Sequence, residues 1–410
     1  MNASYRRVKL ACYTANISMS VVGNLPPLLF LTFRSMYGLS YSRLGLLVLV
    51  NFCTQLTVDL VFSFFSHRFN IPRSVRMAPV LTVAGMSVFA LWPLLFPNAA
   101  YAGLLLGTVV FSSAAGLVEV LISPVIAAIP ADDPDREMSK LHASYAWGVV
   151  GVIPVSTLFL LAFGGERWQV LVLLFLLVPL SSALLFLGAE IPHMETPERA
   201  SGCLQLLKNP GLLLCIFAIV LGGATECTMA QWASSYLEQA FRIPKVWGDL
   251  FGVTLFALML GLGRTLYGKY GRQISRVLLL GAIGSAVCYL TAAMTALPVP
   301  GLIACALTGL CASMLWPGTL IVASDRFPAG GVFVFAVMAA GGDLGAAIGP
   351  QLVGIVTDAA IAHPLAQQIA EQLSLAPEQL GMKLGMLIGM LFPLCAIPVY
   401  ACIHKKNASR

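Results

Sequence analysis

The chain has 410 residues, of which 58% are hydrophobic and only 10% are charged. Ordinary soluble domains carry about 25% charged residues, so this composition excludes a water-soluble globule and a disordered chain. The 24 Lys and Arg residues outnumber the 18 Asp and Glu residues and give a formal charge of +6. They are spread over short segments between apolar runs and form no basic stripe, which predicts a membrane protein and argues against nucleic-acid binding.

Apolar runs long enough to cross a membrane recur from one end of the chain to the other. A transmembrane helix needs about 20 such residues to cross a hydrocarbon layer of about 30 Å. The first run is too long for a signal peptide and has no small-residue cleavage site, so we expect it to stay in the mature protein. The twelve predicted spans are 8–34, 42–66, 74–96, 99–129, 141–163, 167–189, 210–237, 247–268, 274–296, 300–323, 329–357 and 381–403.

The basic residues between the spans predict the orientation. With an even number of spans both termini lie on the same side, and 18 of the 24 Lys and Arg residues fall on that side. Because cytoplasmic loops are enriched in Lys and Arg, we predict a multi-pass protein of the bacterial inner membrane with both termini in the cytoplasm.

The longest polar stretch lies between the sixth and seventh spans and divides the chain in two. It predicts an N-terminal six-helix bundle at 1–189, a cytoplasmic linker at 190–209 and a C-terminal six-helix bundle at 210–410. No room remains for a large soluble domain.

Repeated prolines support two related halves. Pro124 and Pro154 lie 30 residues apart in the fourth and fifth spans, and Pro317 and Pro350 lie 33 residues apart in the tenth and eleventh. The predicted fold class is an all-α membrane protein with twelve transmembrane helices in two pseudo-symmetric six-helix bundles.

The cysteines and the common enzyme motifs give no sign of catalysis. The 10 Cys residues lie mostly inside spans and form neither a CxxC pair nor a Cys/His cluster, so neither a disulfide frame nor a metal site is predicted. The chain also lacks a GxxxxGK[ST] loop and a hydrolytic constellation. We therefore expect no cofactor, no ATP hydrolysis and no enzyme activity.

Twelve spans, a central polar loop and paired halves resemble the major facilitator superfamily over essentially the whole chain. A finer resemblance, to the fucose:proton symporter group, rests on Ala-Gly-Leu-Val-Glu at 115–119 followed by Ser123 and Pro124. In that group a membrane-embedded glutamate precedes a proline in the fourth helix. Further matching features are Gly23 with Asn24, Leu141 with His142, Glu226 with Trp232 and Tyr236, and Asp325-Arg326-Phe327-Pro328.

The resemblance implies a role for Glu119, because the helix-four glutamate of that group takes part in proton coupling and sugar recognition together with a helix-one aspartate. This chain departs from the pattern in helix one, where Asn24, Pro26 and Pro27 occupy the region and no acid is present.

The superfamily resemblance also implies a gate on the cytoplasmic side. The family's loop between helices two and three is degraded here to Asp59, then Arg68, while the loop between helices eight and nine keeps Arg264 and Arg272 among its glycines. Ion pairs and helix-end contacts of these four residues would latch the two bundles together. Simple positive-inside anchoring is the alternative.

The candidates for proton coupling are three acids that lie well inside predicted spans: Glu119, Glu226 and Asp343. A charge at the bilayer centre costs about 2.5 to 3.5 kcal/mol even on a lenient scale, so these side chains should face the bundle interior or a water-filled cavity, where they can exchange protons. The alternatives are a structural bond for Glu119, a cap on a broken helix for Glu226 and close helix packing for Asp343.

A polar solute requires hydrogen-bonding groups and aromatic faces for its C–H surfaces. The helical register places two of these groups, Asn51 and Gln55, on one face. His142 also fits the role of a satisfied structural histidine. The predicted solute-binding residues are Asn24, Asn51, Gln55, His142, Tyr145, Trp147, Gln231, Trp232 and Tyr236.

The sequence therefore predicts a secondary transporter of a small polar solute, a sugar or polyol, coupled to protons and working by alternating access. Its partners would be the solute, protons and the lipid bilayer. Export of an amphipathic organic compound is the alternative within transport. A membrane-embedded sensor or scaffold that binds solute without moving it is the alternative from another class.

Overall fold

The structure is a computed structural model that describes residues 3–65, 68–130, 134–192, 208–270, 273–327 and 331–408. All regular elements in this part of the chain are helices, with no strand, which confirms the predicted all-α membrane fold. Most of the predicted linker at 190–209 lies outside the described residues, and so does Arg272.

The described elements follow the predicted apolar runs. Short 3₁₀ turns at Pro97–Ala99 and Gly165–Arg167 and a π-helical segment at Gly248–Thr254 interrupt them. The α-helices are α1 Ala3–Leu28, α2 Phe30–Tyr37, α3 Tyr41–Phe65, α4 Ile71–Leu95, α5 Ala100–Ala127, α6 Pro134–Phe163, α7 Trp168–Phe175, α8 Leu177–Phe186, α9 Pro210–Phe241, α10 Lys245–Trp247, α11 Leu255–Tyr270, α12 Ile274–Met294, α13 Pro298–Ala312, α14 Leu315–Arg326, α15 Gly331–Ala362, α16 Pro364–Gln372 and α17 Pro377–Ala408.

Among the described residues, ten helices are long and apolar enough to cross a membrane. The pair Tyr5–Leu28 and Phe30–Tyr37, bent by 50°, counts as an eleventh span. The bend follows Pro26 and Pro27, which remove amide donors from the helix and clash with its preceding turn. A shorter apolar helix, Trp147–Phe163, occupies the fifth predicted span, so these segments are consistent with the twelve predicted spans.

Contacts divide the chain into two compact units. Unit 1 comprises Met1–Thr32 and Cys53–Ala200, and unit 2 comprises Phe33–Phe52 and Ser201–Arg410. Helix α3 is therefore shared, since it packs within unit 2 as far as residue 52 and within unit 1 from residue 53. The predicted division into 1–189 and 210–410 stays a prediction.

Small residues let the helices of unit 1 approach closely. A Cβ atom at Gly148 of α6 would collide with the side chain of Ser20 in α1. The Asn16 amide nitrogen of α1 donates to the Leu141 carbonyl at 2.7 Å. Between α4 and α5 a Cβ at Gly85 would collide with the Phe111 backbone. Such close approaches are typical of helices in lipid, where packing and polar contacts drive association in place of the hydrophobic effect.

Unit 2 uses the same principle between α9 and α15. A Cβ atom at Gly223 would collide with the carbonyl of Gly342, and one at Gly345 would collide with the carbonyl of Val220. The close contact between α9 and α15 holds the polar residues of both helices in fixed positions.

A charged cluster joins the N-terminal end of α6 to α1 in unit 1. The Glu137 carboxylate lies 2.9 Å from the Lys9 ammonium and 2.7 Å from the Lys140 ammonium, and the Tyr13 hydroxyl donates to it at 3.2 Å. The hydrogen bonds from Lys140 and Lys9 lower the pKa of Glu137 to about 2. Because this group is more acidic in the folded protein than in the unfolded chain, it stabilises the fold above its unfolded pKa.

We expect Glu137→Gln to lower the free energy of unfolding by about 2 kcal/mol at neutral pH, since it removes hydrogen bonds between charged groups. The difference from wild type should persist above pH 4.5 and shrink as the pH falls from 4.5 towards 2, where wild-type Glu137 is protonated. Thermal unfolding in detergent between pH 7 and pH 3 measures it.

The matched control is Glu166→Gln, which neutralises an exposed acid in the turn Gly165–Arg167. It should leave the unfolding temperature unchanged. A Glu137→Gln difference that stays constant from pH 7 to pH 3 would contradict the role of the ionised carboxylate.

Candidate functional site

Two carboxylates lie side by side in unit 1. The carboxylate oxygens of Asp59 on α3 and Glu119 on α5 lie within 4.8 Å of each other. Gly116 makes this possible, because its ideal Cβ position is 2.9 Å from Val58 Cβ and 3.2 Å from the Gln55 carbonyl oxygen. Any larger residue at 116 would push α5 away from α3 and separate the two acids.

This geometry gives the pair its chemistry. Asp59 is only 4% exposed. Two ionised carboxylates at such a distance repel each other by about 3 kcal/mol at an effective dielectric constant of about 20, and one proton held by the pair removes the repulsion. The sequence assigned Asp59 to the gate. Its carboxylate lies next to that of Glu119, a residue predicted to couple protons. The sequence did not indicate this contact, because the two residues are 60 positions apart in the chain.

Predicted solute-binding residues of α1 and α6 come together in unit 1. The Tyr145 hydroxyl lies 3.8 Å from the ideal Cβ position of Gly23, next to Asn24. The Asn24 amide nitrogen donates to the Ser20 carbonyl at 2.9 Å, which leaves its carbonyl oxygen to accept from another donor. The amide and the phenol are both half-buried.

The other polar residues predicted in the first half occupy different surroundings. Asn51 and Gln55, one turn apart on α3, are both buried. Trp147 on α6 is 69% exposed, so packing within the chain does not hold its ring. The side chain of His142 lies outside the described residues. The Arg68 guanidinium lies 5.5 Å above the Phe65 ring, at the end of α3.

Glu226 and Arg264, which the sequence placed at separate sites, form an ion pair in unit 2. One guanidinium nitrogen of Arg264 on α11 donates to both carboxylate oxygens of Glu226 on α9, at 2.9 and 3.1 Å. The Arg264 Nε also donates to the Ser313 carbonyl at 3.1 Å. The Glu226 side chain is 12% exposed and that of Arg264 is 43% exposed. A local cation therefore compensates the charge of this spanning acid.

The aromatic residues of α9 are fully buried and bonded to backbone. The Trp232 indole nitrogen donates to the Pro350 carbonyl at 2.9 Å, and the Tyr236 hydroxyl donates to the Ala292 carbonyl at 2.6 Å. Both polar atoms thus have partners inside unit 2. Gln231 on the same helix is also buried.

Asp343 lies in the glycine-rich part of α15. It is buried and follows Gly342, whose ideal Cβ position would collide with the Trp316 ring. The proton-coupling role predicted for Asp343 stays a prediction, and so does the alternative of close helix packing.

Asp249 is a buried acid that was not among the predicted site residues. Asp249 lies in the π-helical segment Gly248–Thr254, and its carboxylate pairs with the Lys245 ammonium at 3.2 Å. Lys245 also donates to the Ser234 hydroxyl at 2.9 Å. The sequence could have indicated it, because Asp249 falls inside the predicted eighth span, where a charge is as costly as that of Glu119 in the fourth span.

A cavity of about 450 Å³ opens in unit 2 between the end of α9 and the start of α17. None of the predicted solute-binding residues lines it. Its charged and amide-bearing lining residues are Glu238, Gln239, Arg242, Glu378 and Gln379.

Solved structures share this fold over nearly their whole length. A bacterial homologue of the human lysosomal transporter Spinster has a TM-score of 0.73 and 14% identity, with 99% of this chain and 98% of that chain covered. A D-xylose-proton symporter has a TM-score of 0.72 and 15% identity, with 96% and 97% covered. The nucleoside transporter NupG has a TM-score of 0.71 and 11% identity, with 98% and 100% covered.

The sequence comparisons identify the family. No curated protein matches the chain significantly in sequence. The sequence profile of the Major Facilitator Superfamily matches residues 11–350, which is most of the chain. The match confirms the resemblance to this superfamily that the apolar runs and paired halves indicated. The protein therefore belongs to the Major Facilitator Superfamily and is a multi-pass integral membrane transporter.

Proposed function

We propose that this protein moves a small polar solute, a sugar or polyol, across the bacterial inner membrane by alternating access of its two bundles, with both termini in the cytoplasm, and that transport is coupled to protons. The observation that carries the proposal is the pair formed by Asp59 and Glu119, whose carboxylate oxygens lie within 4.8 Å of each other.

The pair is suited to proton exchange because repulsion favours one bound proton and a cation or solute group can take that proton's place. In a wholly apolar setting an unpaired carboxylate would be expensive. One proton entering down about 150 mV releases roughly 3.5 kcal/mol, which supports a solute gradient of several hundredfold.

The solute site is proposed at Asn24 and Tyr145, together with the buried Gln55 of α3. These groups offer an amide and a phenol for solute hydroxyls. Trp232 and Tyr236 are assigned to packing instead, because their polar atoms already bond to backbone carbonyls.

The neighbouring structures support the class of solute and of coupling ion. One of them is a D-xylose-proton symporter and another is a nucleoside transporter, and both names describe polar solutes that carry hydroxyl groups. The finer resemblance to the fucose:proton symporter group stays a prediction. A screen of proteoliposome uptake with D-xylose, L-fucose, nucleosides and amino acids, with and without an imposed pH gradient, tests the proposal.

Glu226 is proposed as the partner of Arg264 and not as a proton carrier. The Arg264 guanidinium lies 2.9 Å from the Glu226 carboxylate and compensates its charge locally, whereas coupling needs a group that loses and regains a proton in each cycle.

We expect Glu119→Gln to abolish solute accumulation driven by a pH gradient while the protein still folds, because the neutral amide cannot release a proton. Asp59→Asn should also reduce accumulation, since it removes the repulsion that drives the exchange. Uptake of the solute found in the screen, measured at several values of the imposed pH gradient, checks both variants.

Glu166→Gln serves as the control for a lost surface acid and should accumulate solute normally. Wild-type accumulation by Glu119→Gln at every gradient would remove Glu119 from the coupling role. Normal accumulation by Asp59→Asn alone would return Asp59 to the gate.

Asn24→Ala should weaken solute binding about fivefold to a hundredfold, because it leaves a solute hydroxyl without its partner at a cost of about 1 to 3 kcal/mol. Trp232→Ala should instead lower the free energy of unfolding by about 3 to 5 kcal/mol, since it empties a packed core position. Isothermal titration and thermal unfolding of the same preparations separate the two effects. Wild-type affinity in Asn24→Ala, with weak binding in a stable Trp232→Ala protein, would move the site to α9.

The Glu226 and Arg264 pair should show coupled energetics. Glu226→Gln and Arg264→Gln are each expected to lower the free energy of unfolding by about 1 to 2 kcal/mol, and the double variant should lose less than the sum. A double-mutant cycle of unfolding free energies measures the coupling. Strictly additive losses would show that the pair contributes no stability.

A further inference from the structure

The N-terminal end of α3 is held by a residue more than 300 positions away in the chain. The Asp358 carboxylate on α15 accepts the backbone N–H of Tyr41 at 3.0 Å with one oxygen and that of Ser42 at 2.6 Å with the other. Both ends of these bonds lie in unit 2, because residues 33–52 pack there.

These bonds complete the capping of α3. The first amides of a helix have no partner within it. The Ser40 hydroxyl accepts the N–H of Arg43 at 3.2 Å, so the local sequence supplies one cap. The Asp358 carboxylate accepts the N–H groups of the two preceding residues, Tyr41 and Ser42. A carboxylate is favoured in this position because the helix N-terminus carries partial positive charge.

Next to these hydrogen bonds, glycines let α3 and α15 approach closely. The line of contact between the two helices that includes Gly45 and Gly354 is called the seam below. A Cβ atom at Gly354, one turn before Asp358, would collide with the Tyr41 carbonyl oxygen. The ideal Cβ position of Gly45, one turn after Tyr41, is 3.0 Å from Gln351 Cα and 3.2 Å from the Pro350 carbonyl oxygen.

The end of the seam is closed by aromatic contacts. The Tyr41 ring is fully buried, with its centroid 6.0 Å from that of Trp232. The Arg34 guanidinium lies 4.2 Å from the Tyr41 ring centroid on the ring's face. The hydrogen bonds to Asp358, together with the close packing at Gly354 and Gly45 one turn away, therefore hold α3 against α15.

We propose that Asp358 is a positioning residue of the transport cycle, whose carboxylate anchors the N-terminal end of α3 to α15 and whose two amide bonds break and re-form each time the segment 33–52 leaves unit 2. The inference rests on the proposed transport by alternating access. Helix α3 passes from unit 2 to unit 1 at residue 53, so a change of partners by its first part is the movement that alternating access requires of it. A carboxylate whose hydrogen bonds within the described part of the chain are to backbone N–H groups suits such a contact, because water can replace the protein donors when the segment departs.

A buried cysteine reports on this contact without any solute. Leu44 on α3 is fully buried, and Leu44→Cys, in a chain whose 10 native cysteines are replaced, should react slowly with a membrane-impermeant maleimide. Adding Asp358→Ala should raise the labelling rate about tenfold or more, which corresponds to a shift of about 1.4 kcal/mol in the equilibrium. Asp358→Asn keeps one acceptor oxygen and should give an intermediate rate.

Two further variants make the test specific. Gly45→Ala leaves every charge in place but inserts a methyl group into the seam, and it should also raise the labelling rate. Glu371→Ala removes an exposed acid from the short helix α16 and should not change it. If Asp358→Ala does not fold, Asp358→Asn and Gly45→Ala carry the test.

Folded Asp358 variants that label at the wild-type rate would overturn the proposal. So would a rise in Gly45→Ala alone, which would assign the contact to packing. A purely structural role for Asp358 would lower the unfolding temperature without changing the labelling rate of the folded protein, and it would overturn the proposal as well. The labelling assay is independent of uptake, so a wild-type protein that labels as expected but transports no solute would refute the proposed function and not the anchor.

Discussion

A polar group that is removed from water must find its partner inside the protein, and in lipid no solvent is available to replace a missing one. The Tyr236 hydroxyl bonds to the Ala292 carbonyl, and the Trp232 indole bonds to the Pro350 carbonyl. The Lys383 ammonium bonds to the carbonyls of Ala293 and Thr295, near the C-terminal end of α12, where helix carbonyls lack amide partners. These contacts fix the helices of unit 2 against one another more specifically than apolar packing alone.

Five acids among the described residues meet the same constraint in four ways. Glu226 pairs with an arginine, Glu137 pairs with two lysines, and Asp358 accepts two backbone amides. Asp59 and Glu119 form the fourth case, because each faces another carboxylate. Repulsion between like charges makes this pair sensitive to the presence of a proton, and this is the basis of the proposed coupling role.

Glycine determines where these polar groups can meet. Gly116 brings α5 against α3 next to the two carboxylates, and Gly354 brings α15 against α3 next to Asp358. In both places the absence of a Cβ atom lets the helices approach closely, so that polar groups about one turn away come near each other. Packing by small residues is therefore a requirement of the proposed proton site and of the proposed α3 anchor alike.

The sequence by itself determined the membrane class, the helical fold and the position of nearly every span. An apolar run of about 20 residues has the length of an α-helix that crosses the hydrocarbon layer. It also selected Glu119, since an acid in such a run is costly unless it has a function or a partner. It could not decide which partner each acid has. Arg264 was predicted in a loop, and it bonds to Glu226. Trp232 was predicted to contact solute, and it is fully buried. Asp358 lies just past a predicted span, and it caps a helix more than 300 residues away. Those contacts depend on which helices become neighbours and in what rotation, and only the tertiary structure decides this, because hydrophobic periodicity in lipid gives helices no preferred partner.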